Sequence, residues 1–253
     1  MRNGSLSKEQ IHSFHRDGFL LLRGFFQPDE ALEIAQWADE LAGLPETPGK
    51  QMMYFESSKT NGARILNRIE NFYPYHQSFR DLLDSARLRE SSGQLFGEEA
   101  VLFKEKINFK LPGGDGFKPH QDVAAGWSRY GTLHISALLC IDEATIENGC
   151  LELVRGFHSR GMIGHEWTPL SEADLGGMRF EPYPTQPGDV IFFDSYAPHA
   201  SGPNLTEKRR RLLYATYGKV SDGDQRERYY SDKRQSYPPD CERQAGKDYV
   251  FRV

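Results

Sequence analysis

Two short stretches carry side chains that could do chemistry together. In Phe117-Lys118-Pro119-His120-Gln121-Asp122 a histidine and an aspartate stand two residues apart, and Ala197-Pro198-His199-Ala200-Ser201 offers a second histidine. On an extended backbone, residues i and i+2 face the same way, so His120 and Asp122 can present an imidazole and a carboxylate side by side. With His199 they make two nitrogens and one oxygen on one face of an octahedron. Three positions stay open, a donor set that suits Fe(II) and dioxygen chemistry. A zinc hydrolase on the same three ligands, or a cupin-like metal-binding protein without turnover, are the alternatives.

An H-x-D pair alone says little, and this chain has two. His15-Arg16-Asp17 falls at the end of a short helical pattern just before Gly18, and reads as a solvated, charged helix end. His120-Gln121-Asp122 instead follows the turn Pro112-Gly113-Gly114-Asp115-Gly116 at the mouth of a sheet. His199 follows the turn Pro187-Gly188-Asp189 and the apolar run Val190-Ile191-Phe192-Phe193.

Downstream, Lys208-Arg209-Arg210-Arg211 runs into Leu212-Leu213-Tyr214-Ala215-Thr216-Tyr217. Strand alternation puts Arg210, Leu212, Tyr214 and Thr216 on one face and Arg209, Arg211, Leu213 and Ala215 on the other. One arginine therefore points into the interior. A buried guanidinium needs a planar anion, and its fork matches a carboxylate bidentately. A dicarboxylate co-substrate would supply one, and Ser201 could add a hydroxyl.

The elements that must position these groups follow from periodicity. Ser7-Lys8-Glu9-Gln10 is a capping box opening a short helix with Ile11 and Phe14 inward, stopped by Gly18. Phe19 to Leu22 reads as a buried strand. A second helix starts near Pro28-Asp29 and buries Leu32, Ala35, Ala38 and Leu41 until Gly43. Residues 44–62 read as an irregular surface or lid loop. A third helix covers Gln77 to Gly93. From about residue 100 the period becomes two: Val101 to Leu111, Leu133 to Ile141, Cys150 to Val154, Val190 to Phe193 and Arg209 to Tyr217 read as strands. The expected fold is mainly β with helical additions, a jelly roll with N-terminal helices packed on one sheet. It forms a single domain over residues 1–253: a helical part to 99, a core over 100–220, and a C-terminal wrap over 221–253.

Composition bounds the rest. Among 253 residues, 38% are hydrophobic and 12% aromatic, enough for a β-rich core. The formal charge of -5 argues against a nucleic-acid binder. No apolar run approaches the ~20 residues of a membrane helix, and Met1 to Ser5 lacks the apolar core of a signal peptide. Cys140, Cys150 and Cys241 form no C-x-x-C and read as reduced thiols in a cytoplasmic protein.

The chain resembles the phytanoyl-CoA dioxygenase family of Fe(II)/2-oxoglutarate oxygenases over most of its length. The segments that carry the likeness begin with Phe14-His15-Arg16-Asp17-Gly18-Phe19, Lys106-Ile107-Asn108-Phe109-Lys110 and His120-Gln121-Asp122. They continue with Asn148-Gly149-Cys150-Leu151-Glu152, Pro187-Gly188-Asp189-Val190 and His199-Ala200-Ser201-Gly202-Pro203-Asn204. The resemblance implies a double-stranded β-helix in which His120, Asp122 and His199 hold Fe(II). It implies that 2-oxoglutarate chelates the metal through its 1-carboxylate and 2-keto oxygens, with Arg210 and Ser201 on the far carboxylate. With O2 it gives succinate and CO2 as a small, polar substrate is hydroxylated. Either Asn108 or Lys106 could also hydrogen-bond the 2-oxoglutarate. Trp127 would line the substrate pocket, and His134 reads as a core residue. Arg155, His158 and Arg160 could meet an anionic substrate or form a solvated loop. Family members often have Pro-Gly-Ser-His where this chain has Arg155-Gly156-Phe157-His158, so the nearby pocket wall departs from the pattern.

Overall fold

The structure is a computed structural model and describes residues 5–249. Helix α1 (Lys8–Asp17) opens on the expected capping box: Gln10 N–H donates to Ser7 Oγ at 3.2 Å, and Ser7 N–H donates to Gln10 Oε1 at 2.8 Å. Gly18, at φ +85°, ends it in the left-handed conformation that glycine adopts without strain. Strand β1 (Phe19–Leu22) and helix α2 (Pro28–Ala42) follow. The buried stripe of α2 is Ala31, Ile34, Ala38 and Leu41, spaced three, four and three. Leu32 lies one residue off that stripe and is 66% exposed, contrary to the sequence expectation.

A second difference concerns residues 44–62. They contain β2 (Met52–Ser57), which forms a hairpin with β3 (Arg64–Glu70). Met52, Met53 and Tyr54 are all buried, so neither helical nor strand alternation marks this segment. Its pairing is tertiary: β3 docks on β4 (Ala100–Lys110), with Arg68 opposite Asn108 and Glu70 opposite Lys106. The single helix expected over 77–93 is two, α3 (Gln77–Leu83) and α4 (Ala86–Phe96). The break falls at Ser85, whose backbone is extended at ψ 140°.

The remaining elements are β5 (Phe117–His120), β6 (His134–Cys140), β7 (Leu151–Leu153), β8 (Glu181–Tyr183), β9 (Val190–Asp194), β10 (His199–Ser201), β11 (Arg210–Lys219) and α5 (Arg226–Ser236). Seven strands form one antiparallel sheet in the order β1-β9-β6-β11-β4-β3-β2, and four form another in the order β5-β10-β7-β8. This is the expected jelly roll, with the N-terminal helices against the outer face of the larger sheet.

Alternation along β11 sorts the core. Leu213, Ala215 and Tyr217 join Leu139, Phe79, Leu83 and Leu88 on the helical side. Leu212 and Tyr214 join Leu138, Leu153 and Phe193 between the sheets. Arg211, on the helical side, donates to the Asp142 carboxylate at 2.8 Å and to Asp39 of α2 at 2.9 Å. Arg210 faces the space between the sheets. Helix α5 folds back over β4, where Arg226 pairs with the fully buried Glu105 and Tyr230 Oη donates to Glu105 O at 2.8 Å. Among the described residues, no helix is long and apolar enough to cross a membrane.

Candidate active site

His120 ends β5 and His199 begins β10, and the two are direct cross-strand partners. Such partners have Cβ atoms about 5 Å apart. Here the imidazole centroids are 4.2 Å apart. Asp122 sits in the short turn after β5, and its Oδ1 lies 4.0 Å from both His120 Nε2 and His199 Nε2. All three ligand atoms fall within 4.8 Å of one another, close enough to share a metal ion.

Backbone carbonyls fix the tautomers. His120 Nδ1 donates to Lys118 O at 2.7 Å and His199 Nδ1 donates to Ala197 O at 3.0 Å, so both Nε2 lone pairs face the common centre. Burial, reinforced by His199, pushes His120 down to about 3, and burial also lowers His199. Burial raises the Asp122 carboxyl, but His199, Lys106 and His120 outweigh it and hold it below its ordinary value. Two neutral imidazoles and a carboxylate are the protonation states a divalent cation requires.

A second cluster lies deeper, on the same inward faces. Arg210 is 1% exposed; its Nη2 donates to Gly149 O, while Nε and Nη1 have no partner. Its strand neighbour Lys110 donates from Nζ to Ser201 Oγ at 2.9 Å and to Gly202 O. Burial, then the Arg210 charge, pushes Lys110 down to about 6. A Cβ on Gly149 would meet Gly202 O at 2.1 Å and Lys110 Nζ at 3.0 Å, so only glycine closes this end. A buried arginine with two orphaned donors, beside a lysine with only neutral acceptors, fits a carboxylate and is costly without one. Ser201 lies two residues from His199, about 7 Å along a strand, the span of a five-carbon diacid.

Between the metal-ligand cluster and β3 lies a cavity of about 180 Å³ lined by Arg68, Glu70, Lys104, Lys106, Asp122 and Trp127 among others. Sequence reasoning left Asn108 and Lys106 as alternatives, yet both face inward, because 104, 106, 108 and 110 share one parity on β4. Lys106 borders this cavity beside Asp122. Asn108, opposite Leu212, keeps its Oδ1 unpartnered. Trp127 lines the cavity as expected, with its buried Nε1 unpartnered.

Arg155 and His158 lie away from the cavity. Arg155 pairs with Asp17 and stacks over Phe19, while His158 Nε2 bonds His15 O at 3.1 Å. Asp17 is therefore buried between Arg16 and Arg155, and is no solvated helix end. Arg160 lies over the Phe157 ring. His134 is a core residue packed 4.3 Å from Phe103 and edge-on to Trp127. Sequence reasoning missed Lys110 beside Ser201, and the cavity-lining Arg68, Glu70, Lys104 and α5 residues Tyr229, Asp232 and Lys233. For Lys104 and Lys110 a signal existed: they share the parity of Lys106 on the same strand.

A jelly roll with a His-x-Asp…His cluster at the open end and a buried arginine behind it defines the class of Fe(II)- and 2-oxoglutarate-dependent oxygenases. Residues 14–212 match the profile of the phytanoyl-CoA dioxygenase family, and the chain belongs to that family. It is 40% identical over 244 residues to the 2-aminoethylphosphonate dioxygenase of the uncultured bacterium HF130_AEPn_1, covering 96% of this chain and 93% of that one. It is 38% identical to the methylphosphonate hydroxylase of Gimesia maris, covering 93% and 89%. The crystal structure of EctD from S. alaskensis with 2-oxoglutarate and 5-hydroxyectoine shares the fold at a TM-score of 0.74 and 23% identity, covering 88% of this chain and 79% of that one. The protein is a dioxygenase that uses Fe(II), 2-oxoglutarate and O2 to hydroxylate a small molecule, releasing succinate and CO2.

Proposed function

We propose that the molecule hydroxylated is a small phosphonate. The observation that carries this is a pair of lysines on one strand face. Lys104 and Lys106 both line the cavity beside the metal-ligand cluster. Among the described residues, neither ammonium has a hydrogen-bond acceptor; the nearest carboxylate oxygen to Lys104 Nζ is Glu70 Oε2 at 3.8 Å. Burial, then the like charge of Lys104, lowers Lys106 to about 8. Two cations without a hydrogen-bond acceptor and the free Trp127 N–H around so small a cavity fit a compact dianion, and a phosphonate has three oxygens for three donors. The two relatives named for phosphonates point the same way.

In this reading His120, Asp122 and His199 hold Fe(II), and Arg210, Ser201 and Lys110 hold the far carboxylate of 2-oxoglutarate, with Asn108 alongside. Bound iron supplies the dioxygen activation and C–H oxidation that no protein side chain can perform. The side chains orient and exclude. Lys104, Lys106 and Trp127 grip the phosphonate so that its carbon arm points at the metal position. The α5 residues Tyr229 and Lys233 wall the cavity from bulk water. The three free cysteines support a reducing, cytoplasmic setting.

The test is succinate release with methylphosphonate against acetate and methanol. The phosphonate alone should stimulate it, and Lys106→Met should raise its KM by about tenfold or more. Equal stimulation by acetate would sink the proposal.

A further inference from the structure

Every aromatic ring lining the cavity already carries a cation from the protein itself. Lys104 Nζ stands 5.3 Å from the Trp127 ring centroid and 5.2 Å from that of Tyr229. Arg129 covers Trp167 at 5.2 Å and Arg228 covers Tyr130 at 5.4 Å. Arg243 lies 4.7 Å from Tyr237, and Lys106 6.0 Å from Phe117. These distances fall within the range over which a ring face attracts a cation. A ligand ammonium approaching any of these six rings would meet a protein cation already drawn to it.

The carboxylates are committed as well. Glu70, 1% exposed, accepts from Lys233 Nζ at 2.6 Å and from Arg68 Nε at 2.7 Å. Asp122 belongs to the metal-ligand cluster. Asp232 lies at the exposed mouth and accepts the Tyr130 hydroxyl at 2.8 Å. A ligand ammonium inside the cavity would face Arg68, Lys104, Lys106 and Lys233 with no buried partner of its own, an arrangement that opposes binding.

We infer that the substrate arm is uncharged: the site takes an alkyl phosphonate in preference to an aminoalkyl one. This rests on the phosphonate reading above. It also separates this chain from its 40% identical relative, which is named for an aminated phosphonate.

The test compares ethylphosphonate and 2-aminoethylphosphonate, nearly matched in length, with the Fe(II)-loaded protein and 2-oxoglutarate. Succinate release and the 31P signal of the product are read together. The kcat/KM for ethylphosphonate should exceed that for 2-aminoethylphosphonate by about tenfold or more. Lys233→Met frees one oxygen of Glu70 and should shift that ratio toward the amine, while Asp232→Asn at the rim should leave it in place. Equal or better turnover of 2-aminoethylphosphonate overturns the inference and leaves the phosphonate reading standing. If neither compound is hydroxylated, although 2-oxoglutarate binds, both fall together.

Discussion

Replacing Arg210 with methionine keeps most of the side-chain volume and removes the guanidinium. In the structure Nε and Nη1 are the two donors left without a partner, so a bound carboxylate would gain two charge-assisted hydrogen bonds there. Such bonds contribute ~1.5–3 kcal/mol each. Truncation also removes a cation whose burial is unfavourable, and Lys110 remains beside the site, so the lower end of the sum applies. The expected loss is about 3 kcal/mol, roughly 150-fold in the Kd of 2-oxoglutarate. The assay is anaerobic titration of the Fe(II)-loaded protein with 2-oxoglutarate, followed by the visible charge-transfer band of the chelate. Pyruvate, which lacks the distal carboxylate, serves as control and should bind wild type and R210M alike. A change below about threefold for 2-oxoglutarate would refute the assignment of Arg210.

Three further outcomes follow from the same geometry. Asp122→Ala should abolish iron binding and turnover, read by metal content after desalting, with the circular dichroism of the native fold retained. Lys110, lowered to about 6 from 10.5 by burial and Arg210, is neutral at pH 7.5 until a dicarboxylate arrives beside it. The unfolded chain keeps that proton up to its ordinary value, so the site destabilises the fold increasingly as pH falls from there toward 6. Lys110→Met should therefore stabilise the protein at pH 7, by a margin that shrinks toward pH 10. Calorimetric titration of 2-oxoglutarate in buffers of different ionisation enthalpy should show proton uptake at pH 7.5 that K110M removes. Arg226→Met would strand Glu105, which is 0% exposed, as a buried unpaired charge. The expected cost is about 3–5 kcal/mol, a Tm loss of roughly 10 °C. Adding Glu105→Gln should recover more than half of it.

The parts of the site legible from sequence were those governed by one strand's own geometry. The i, i+2 rule put His120 and Asp122 on one side, and alternation separated Arg210 from Arg211. What alternation could not say is what the other face meets: Arg211 is equally buried, because Asp142 and Asp39 reach it from the β6–β7 connection and from α2. Strand β2 escaped because Met52, Met53 and Tyr54 are buried on successive positions and the strand depends on β3. Arg155 and His158 resembled substrate contacts in sequence, but their partners, Asp17 and the His15 carbonyl, come from α1. The α5 contribution was invisible for a different reason. Glu105 pairs with Arg226 across 121 residues, and no local pattern announces a contact of that separation.

The proposed reaction brings iron, a keto diacid and a phosphonate together over His120, Asp122 and His199. It is tested most directly by stoichiometry in one vessel: dioxygen consumed, succinate formed, and phosphonate hydroxylated by 31P resonance, all with methylphosphonate. The expected ratio is one to one to one, and it vanishes when Fe(II) is withheld. Phosphonate conversion with zinc in the absence of oxygen, or succinate formed with the phosphonate recovered unchanged, would contradict it.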